Sequence, residues 1–134
     1  MDAQHTETLS IQTSGDVVVV RQIVRTRAAE IGLSLVDQTK IVTAASELAR
    51  NTLDYGRGGH VHVELLRNES RTGIKLVFED QGPGIKDIAL AMTDGYTTGN
   101  GLGLGLSGSK RLVNDFDIHS KPGEGTRITI VRWK

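Results

Sequence analysis

Glycine places the tightest constraint on this chain. Of its sixteen glycines, ten (Gly82, Gly84, Gly95, Gly99, Gly101, Gly103, Gly105, Gly108, Gly123 and Gly125) fall between positions 82 and 125. Only two prolines accompany them, so the segment is not a disordered Pro/Gly tract. Glycine gathered in loops implies a backbone that something approaches closely, or hinges that move. Around these loops the apolar residues keep two periods. Val61, Val63 and Leu65 alternate with His62 and Glu64, and Ile74, Leu76 and Phe78 alternate with Lys75 and Glu79, which predicts a hairpin. Val20, Ile23, Val24, Ala28 and Ile31 recur at helical spacing, as do Ile41, Ala44, Ala45, Leu48 and Thr52.

Residues 1–8 are polar and are expected to form a flexible N-terminus ahead of one domain over residues 9–134. Within it, Leu9–Thr13 alternates as a short strand. Ser14-Gly15-Asp16 caps a helix to Ile31, with Gly32 at its C-terminal end. Ser34-Leu35-Val36-Asp37 reads as a capping box opening a second helix that reaches Tyr55. After the hairpin come a helical piece at Asp87–Met92, a long Thr/Gly loop and a third helix over Leu106–Asp115. Strands at Phe116–Ser120 and Thr126–Trp133 close the chain. This order predicts an α+β fold: an antiparallel or mixed sheet with helices on one face.

Composition removes several classes of function. A chain of 134 residues is one domain of ordinary size, so two full catalytic lobes do not fit. Lys plus Arg and Asp plus Glu number 16 each, which argues against a partner held by bulk charge, such as nucleic acid or an anionic membrane. The absence of cysteine removes disulfides, thiolate metal sites and cysteine nucleophiles. No apolar run approaches the roughly 20 residues that span a bilayer, and MDAQHTETLS lacks the features of a signal peptide. The expectation is a cytoplasmic protein.

Three segments carry chemistry. Glu47 and Asn51 lie four apart on the second helix, so they project from one face. A carboxylate and an amide carbonyl suit Mg2+ or the positioning of a water, although solvated helix faces also carry such pairs. Asp80, at the head of Asp80-Gln81-Gly82-Pro83-Gly84, emerges from the apolar Val77-Phe78 and should seek a donor such as the exocyclic amine of adenine; a plain Asp/Gly turn is the alternative. The run from Thr97 to Leu106 is glycine-rich and precedes a helix, where backbone N–H groups can meet phosphate oxygens. Gly103, Gly105 and Gly108 match the dinucleotide fingerprint formally, but no strand precedes them. Gly103 to Lys110 misses the phosphate-loop pattern because Ser109 separates Gly108 from Lys110. Gly123-Glu124-Gly125-Thr126 reads as a hairpin turn with a possible second role near a ligand. His60 and His62 share a strand face and could ligand a metal. With no third ligand nearby in sequence, they are read as part of a solvated face.

Jointly and in this order, SELARN, EDQGPGI, GLGLGL and GEGT resemble the motifs of the GHKL ATPase superfamily, whose Bergerat fold is a two-layer α/β sandwich. Within it they look like the RsbT-type switch serine kinases of bacterial stressosomes. The resemblance runs from Leu9 to Trp133. It implies ATP and Mg2+ as cofactors, with Asn51 as the metal ligand and Glu47 as the general base toward the acceptor hydroxyl. It further implies that Asp80 accepts from the adenine amine while Gly82 and Gly84 line the base pocket. Gly101, Gly103 and Gly105 would cover the phosphates, and Thr126 would bond near adenine. Arg50 is a candidate for a partner or phosphate contact, with a plain surface arginine as the alternative, and Lys110 could touch a phosphate.

The resemblance also implies partners: STAS-domain scaffold or antagonist proteins as phosphoryl acceptors and, on release, a downstream regulator such as a PP2C-type phosphatase. The other readings are an anti-sigma factor kinase, a nucleotide-gated binding module without turnover and, more distantly, an NAD-binding enzyme. The retained Glu47 argues against the pure binder, since binding alone needs no base. None of His5, His60, His62 and His119 falls on an expected helix, which sets a self-phosphorylating histidine kinase aside.

Overall fold

A computed structural model describes residues 2–92 and 106–134, with side chains from His5 onward. Five strands form one sheet in the order β1-β2-β3-β5-β4, every neighbouring pair antiparallel. They are β1 (Asp2–Ile11), β2 (Gly59–Arg67), β3 (Thr72–Asp80), β4 (Asp115–Ser120) and β5 (Thr126–Trp133). The helices are α1 (Ser14–Glu30), α2 (Leu35–Asp54), α3 (Ile88–Ala91) and α4 (Leu106–Arg111). The sheet's alternation decides its faces. Val61, Val63, Leu65, Ile74, Leu76, Phe78, Ile128 and Ile130 are buried in one core with Val20, Val24 and Ala28 of α1 and Ile41, Ala45 and Leu48 of α2. Small residues on α2 (Ala44, Ala45, Ala49) let it lie close over the strands.

Several local boundaries depart from the sequence reading, each for a physical reason. β1 starts at Asp2 rather than Leu9, so residues 2–8 are paired strand instead of the frayed segment their polarity suggests. Thr8 stands opposite His62 and Glu7 opposite Val63. An edge strand is held by backbone bonds to its single neighbour, and those leave no trace in hydropathy. The N-cap of α1 is Thr13, not Ser14: its hydroxyl accepts from the Asp16 N–H, and Asp16 bonds back to the Thr13 N–H in a reciprocal box. At α2, Ser34 accepts from the Asp37 N–H. The Asp37 carboxylate, however, takes the Arg132 guanidinium of β5 at 2.7 Å. α4 ends at Arg111, short of the expected Asp115, because the Asn114 N–H already bonds the Val131 carbonyl and draws the chain into β4. Leu66, Val131 and Trp133 are buried as a second small cluster apart from the main core. The Arg71 guanidinium lies 4.1 Å from the Trp133 ring centroid.

Candidate functional site

The same alternation that builds the core places a carboxylate at its rim. Ile74, Leu76, Phe78 and Asp80 are one face of β3, so Asp80 continues an apolar column into the turn. Register then sets its neighbours. Thr126 of β5 stands opposite Asp80, and Ser120 of β4 stands opposite Thr126. Three polar residues on three adjacent strands thus occupy one end of the helix-covered face. Asn51 and Thr52 of α2 and Tyr55 at its C-cap close the cavity, while Phe78, Ile85 and Ile128 supply its apolar walls.

Burial pushes the Asp80 carboxyl above the usual aspartate range, opposed by hydrogen bonds from the backbone N–H groups of Gly82 and Thr126. The Gly82 bond is 2.9 Å long. A half-buried carboxylate with spare acceptor capacity beside apolar walls can accept from an N–H donor of a ligand. Two glycines permit the close packing around the site. A Cβ at Gly56, just beyond α2, would overlap the Asp80 carboxyl group. Gly84 has φ +76°, and a Cβ there would run into the Lys121 carbonyl.

Ser120 was missed in the sequence. Its hydroxyl accepts from the Ile85 N–H at 2.7 Å, lies 2.8 Å from the Thr126 hydroxyl and donates to the Gly125 carbonyl at 3.0 Å. It ties the Gly82–Gly84 turn to the Gly123–Gly125 turn. The Gly123 N–H bonding the Pro83 carbonyl at 2.7 Å makes a second tie. Tyr55 was missed too; its hydroxyl reaches the Gly84 carbonyl at 3.2 Å. Nothing local marks either residue, since a lone serine at a strand end and a tyrosine at a helix end are ordinary.

The structure brings together Asn51, Asp80, Thr126 and the two glycine turns, with Gly84 buried between them. Glu47 lies one turn before Asn51 on α2 and is exposed, whereas Asn51 is half-buried. An exposed carboxylate stepping down to an amide at the cavity mouth can meet a substrate arriving from solvent. Arg50 is engaged within the chain, 3.4 Å from the Ser14 hydroxyl and 3.9 Å from Asp54, and Lys110 is exposed on α4. Gly101, Gly103 and Gly105 lie outside the described residues. The side-chain oxygen of Asn51 is a hard donor of the kind Mg2+ takes, so a divalent cation fits the chemistry of this residue. No helix among the described residues is long and apolar enough to cross a membrane.

Residues 36–134 match the family of histidine kinase-, DNA gyrase B- and HSP90-like ATPases. The chain is 46% identical over 123 residues to the serine/threonine-protein kinase RsbT of Bacillus subtilis, covering 92% of each chain. It is 26% identical over 118 residues to an anti-sigma F factor of Thermoanaerobacter, covering 84% of this chain and 82% of that one. Among solved structures, the RsbU and RsbW domains of a Mycobacterium tuberculosis protein superpose with a TM-score of 0.64 at 21% identity. That match spans 98% of this chain but 33% of the other, and it speaks to the fold alone. The chain therefore belongs to the histidine kinase-, DNA gyrase B- and HSP90-like ATPase family, in the branch of partner-switching serine/threonine kinases to which RsbT belongs.

Proposed function

We propose that this kinase transfers the γ-phosphoryl group of ATP to a serine or threonine of STAS-domain scaffold or antagonist proteins. Once released from them, it binds and activates a downstream regulator such as a PP2C-type phosphatase. The observation that carries the reading is Asp80, a half-buried carboxylate at the end of an apolar column with Thr126 beside it and Asn51 above. In this reading Asp80 accepts from the adenine amine, Thr126 bonds nearby, and Gly82 and Gly84 let the base approach the backbone. Asn51 would hold Mg2+, whose charge would offset that of the phosphate oxygens. Glu47 orients the acceptor hydroxyl and takes its proton. Gly101, Gly103 and Gly105 cover the phosphates. Phosphoryl transfer asks for positioning and charge neutralisation rather than a covalent nucleophile, and this set of residues supplies those.

A second reading, an anti-sigma factor kinase, is favoured by the 26% identity to anti-sigma F factors. Intact-mass measurement separates the two. STAS-domain proteins from the same genome are incubated with the chain and Mg-ATP, beside the Glu47→Ala and Asp80→Asn variants. The expected result is one added phosphate on serine or threonine with the wild type only, while Glu47→Ala still binds ATP. Transfer at the wild-type rate by Glu47→Ala would remove Glu47 from the mechanism. Capture of a sigma factor by the wild type would favour the second reading, and no transfer by the wild type with no sigma factor captured would overturn both.

A further inference from the structure

The sequence sets His60 beside His62 on one strand face without a third ligand; folding supplies one from the next strand. Glu79 of β3 stands opposite His60 in the β2–β3 register. Residues 74, 76, 78 and 80 face the helices, so Glu79 and both histidines lie on the opposite face of the sheet, behind the nucleotide cavity. One ligand atom from each of His60, His62 and Glu79 lies within 4.8 Å of the others, and all three residues are half-buried. His62 Nε2 is 3.3 Å from Glu79 Oε1, although the exposed Arg127 faces Glu79 across β5. The other ring nitrogen of His62, Nδ1, is 2.8 Å from the Thr8 hydroxyl of β1. The two imidazole rings sit edge to face with centroids 4.7 Å apart.

We propose that His60, His62 and Glu79 form a Zn2+ site, with a fourth position open to water. Two imidazoles and a carboxylate are a donor set that zinc accepts, whereas Mg2+ prefers oxygen, so this site is distinct from the one at Asn51. Three features support it. The ligands come from two paired strands, so the backbone is already ordered. The ligand atoms, all within 4.8 Å of one another, need close only to about 3.4 Å, the edge of a tetrahedron with bonds of about 2.1 Å, which side-chain rotation covers. The Thr8 hydroxyl can accept from Nδ1–H, which fixes the tautomer that leaves Nε2 for the metal, as outer partners of ligating histidines do. Bound zinc would join β2 to β3 directly and β1 through Thr8, one residue before Asp80 leaves the sheet.

The test uses tag-free full-length protein in excess Mg2+, titrated with Zn2+ against a chromophoric chelator, with melting followed in parallel. One zinc per chain and a higher melting temperature are expected, because a ligand held only by the native state stabilises it. His60→Ala, His62→Ala and Glu79→Gln should each weaken binding at least about ten-fold. Thr8→Val should weaken it about 10-fold through orientation alone. His119→Ala, whose ring pairs with Asp117 at 2.8 Å on β4, should bind as the wild type does. Metal-free melting unchanged in the ligand variants would tie their loss to the site rather than to the fold. Absence of stoichiometric zinc, or zinc retained by the His60→Ala/His62→Ala double variant, would overturn the proposal.

Discussion

Replacing Asp80 with asparagine should move nucleotide affinity and stability in opposite directions. Burial raises the folded carboxyl above its ordinary value of 3.8, and the Gly82 and Thr126 N–H bonds offset only part of this. A raised pKa means that the folded state holds its proton in a pH range where the unfolded chain has already lost it. Over that range the native state binds more protons than the unfolded one, so stability falls as pH rises. Below 3.8 both forms are protonated and the effect is absent; above the raised folded value the full penalty is present. Asparagine does not titrate, so its stability relative to wild type should climb from about pH 4 upward and then level off. Affinity goes the other way. On the proposed reading of Asp80, the variant loses a charged acceptor and can turn an amide donor toward the adenine amine. Hydrogen bonds to charged groups contribute about 1.5–3 kcal/mol, so ATP should bind about 10- to 150-fold more weakly at about 1.4 kcal/mol per ten-fold. Urea unfolding of both proteins from pH 4 to 7.5, beside ATP titration calorimetry at pH 7.5, measures the two effects. A stability difference that is flat with pH, or that grows in favour of the wild type, would refute the burial argument. ATP affinity within two-fold of wild type would refute the assignment of Asp80 to the base.

Ser120→Ala leaves the Ile85 N–H and the Gly125 carbonyl without their partner. It should cost about 1–3 kcal/mol, read as a melting temperature several degrees lower, and an unchanged melt would mean that water replaces the hydroxyl without loss. Gly84→Ala forces a side chain into left-handed backbone at φ +76° and against the Lys121 carbonyl. Conformation alone costs about 1–2 kcal/mol, so both melting temperature and ATP affinity should drop; retention of both would show that the turn relaxes freely. Glu7 is the opposite electrostatic case to Asp80: the Arg27 guanidinium, 2.7 Å away, holds its carboxyl below the ordinary value. A lowered pKa gives stability that is present above the ordinary value and lost as pH falls through the folded one. Glu7→Gln should therefore melt lower than wild type at pH 7, with the deficit vanishing in acid, and a deficit that persists at pH 2 would point to packing instead.

Much of the architecture was legible because it rests on periodicity. The alternation at Val61–Leu65 and Ile74–Phe78 became β2 and β3, and the 3.6-residue stripe through Ile41, Ala45 and Leu48 became the buried face of α2. Asp80 could be singled out because a carboxylate that continues an apolar strand is conspicuous in one dimension. The starts of elements were less legible. Thr13 and Ser14 are both good caps, and only the Asp16 bond back to the Thr13 N–H separates them. Asp37 looks like half of a capping box until β5 brings Arg132 to it from 95 positions away.

By itself, then, the order of residues determined the fold class, the two helix faces and the central hairpin, and it singled out Asp80 as a carboxylate continuing an apolar strand. Those depend on interactions within a few residues, where spacing translates directly into geometry. The tertiary structure decided what stands next to what. Strand order β1-β2-β3-β5-β4 aligns Asp80 with Thr126 and Ser120, and it sets Glu79 against His60. Asp80 is far in sequence from Thr126 and Ser120, and His60 from Glu79, and their neighbours come from antiparallel register, which hydrophobic pattern constrains only by requiring each apolar column to face the same core.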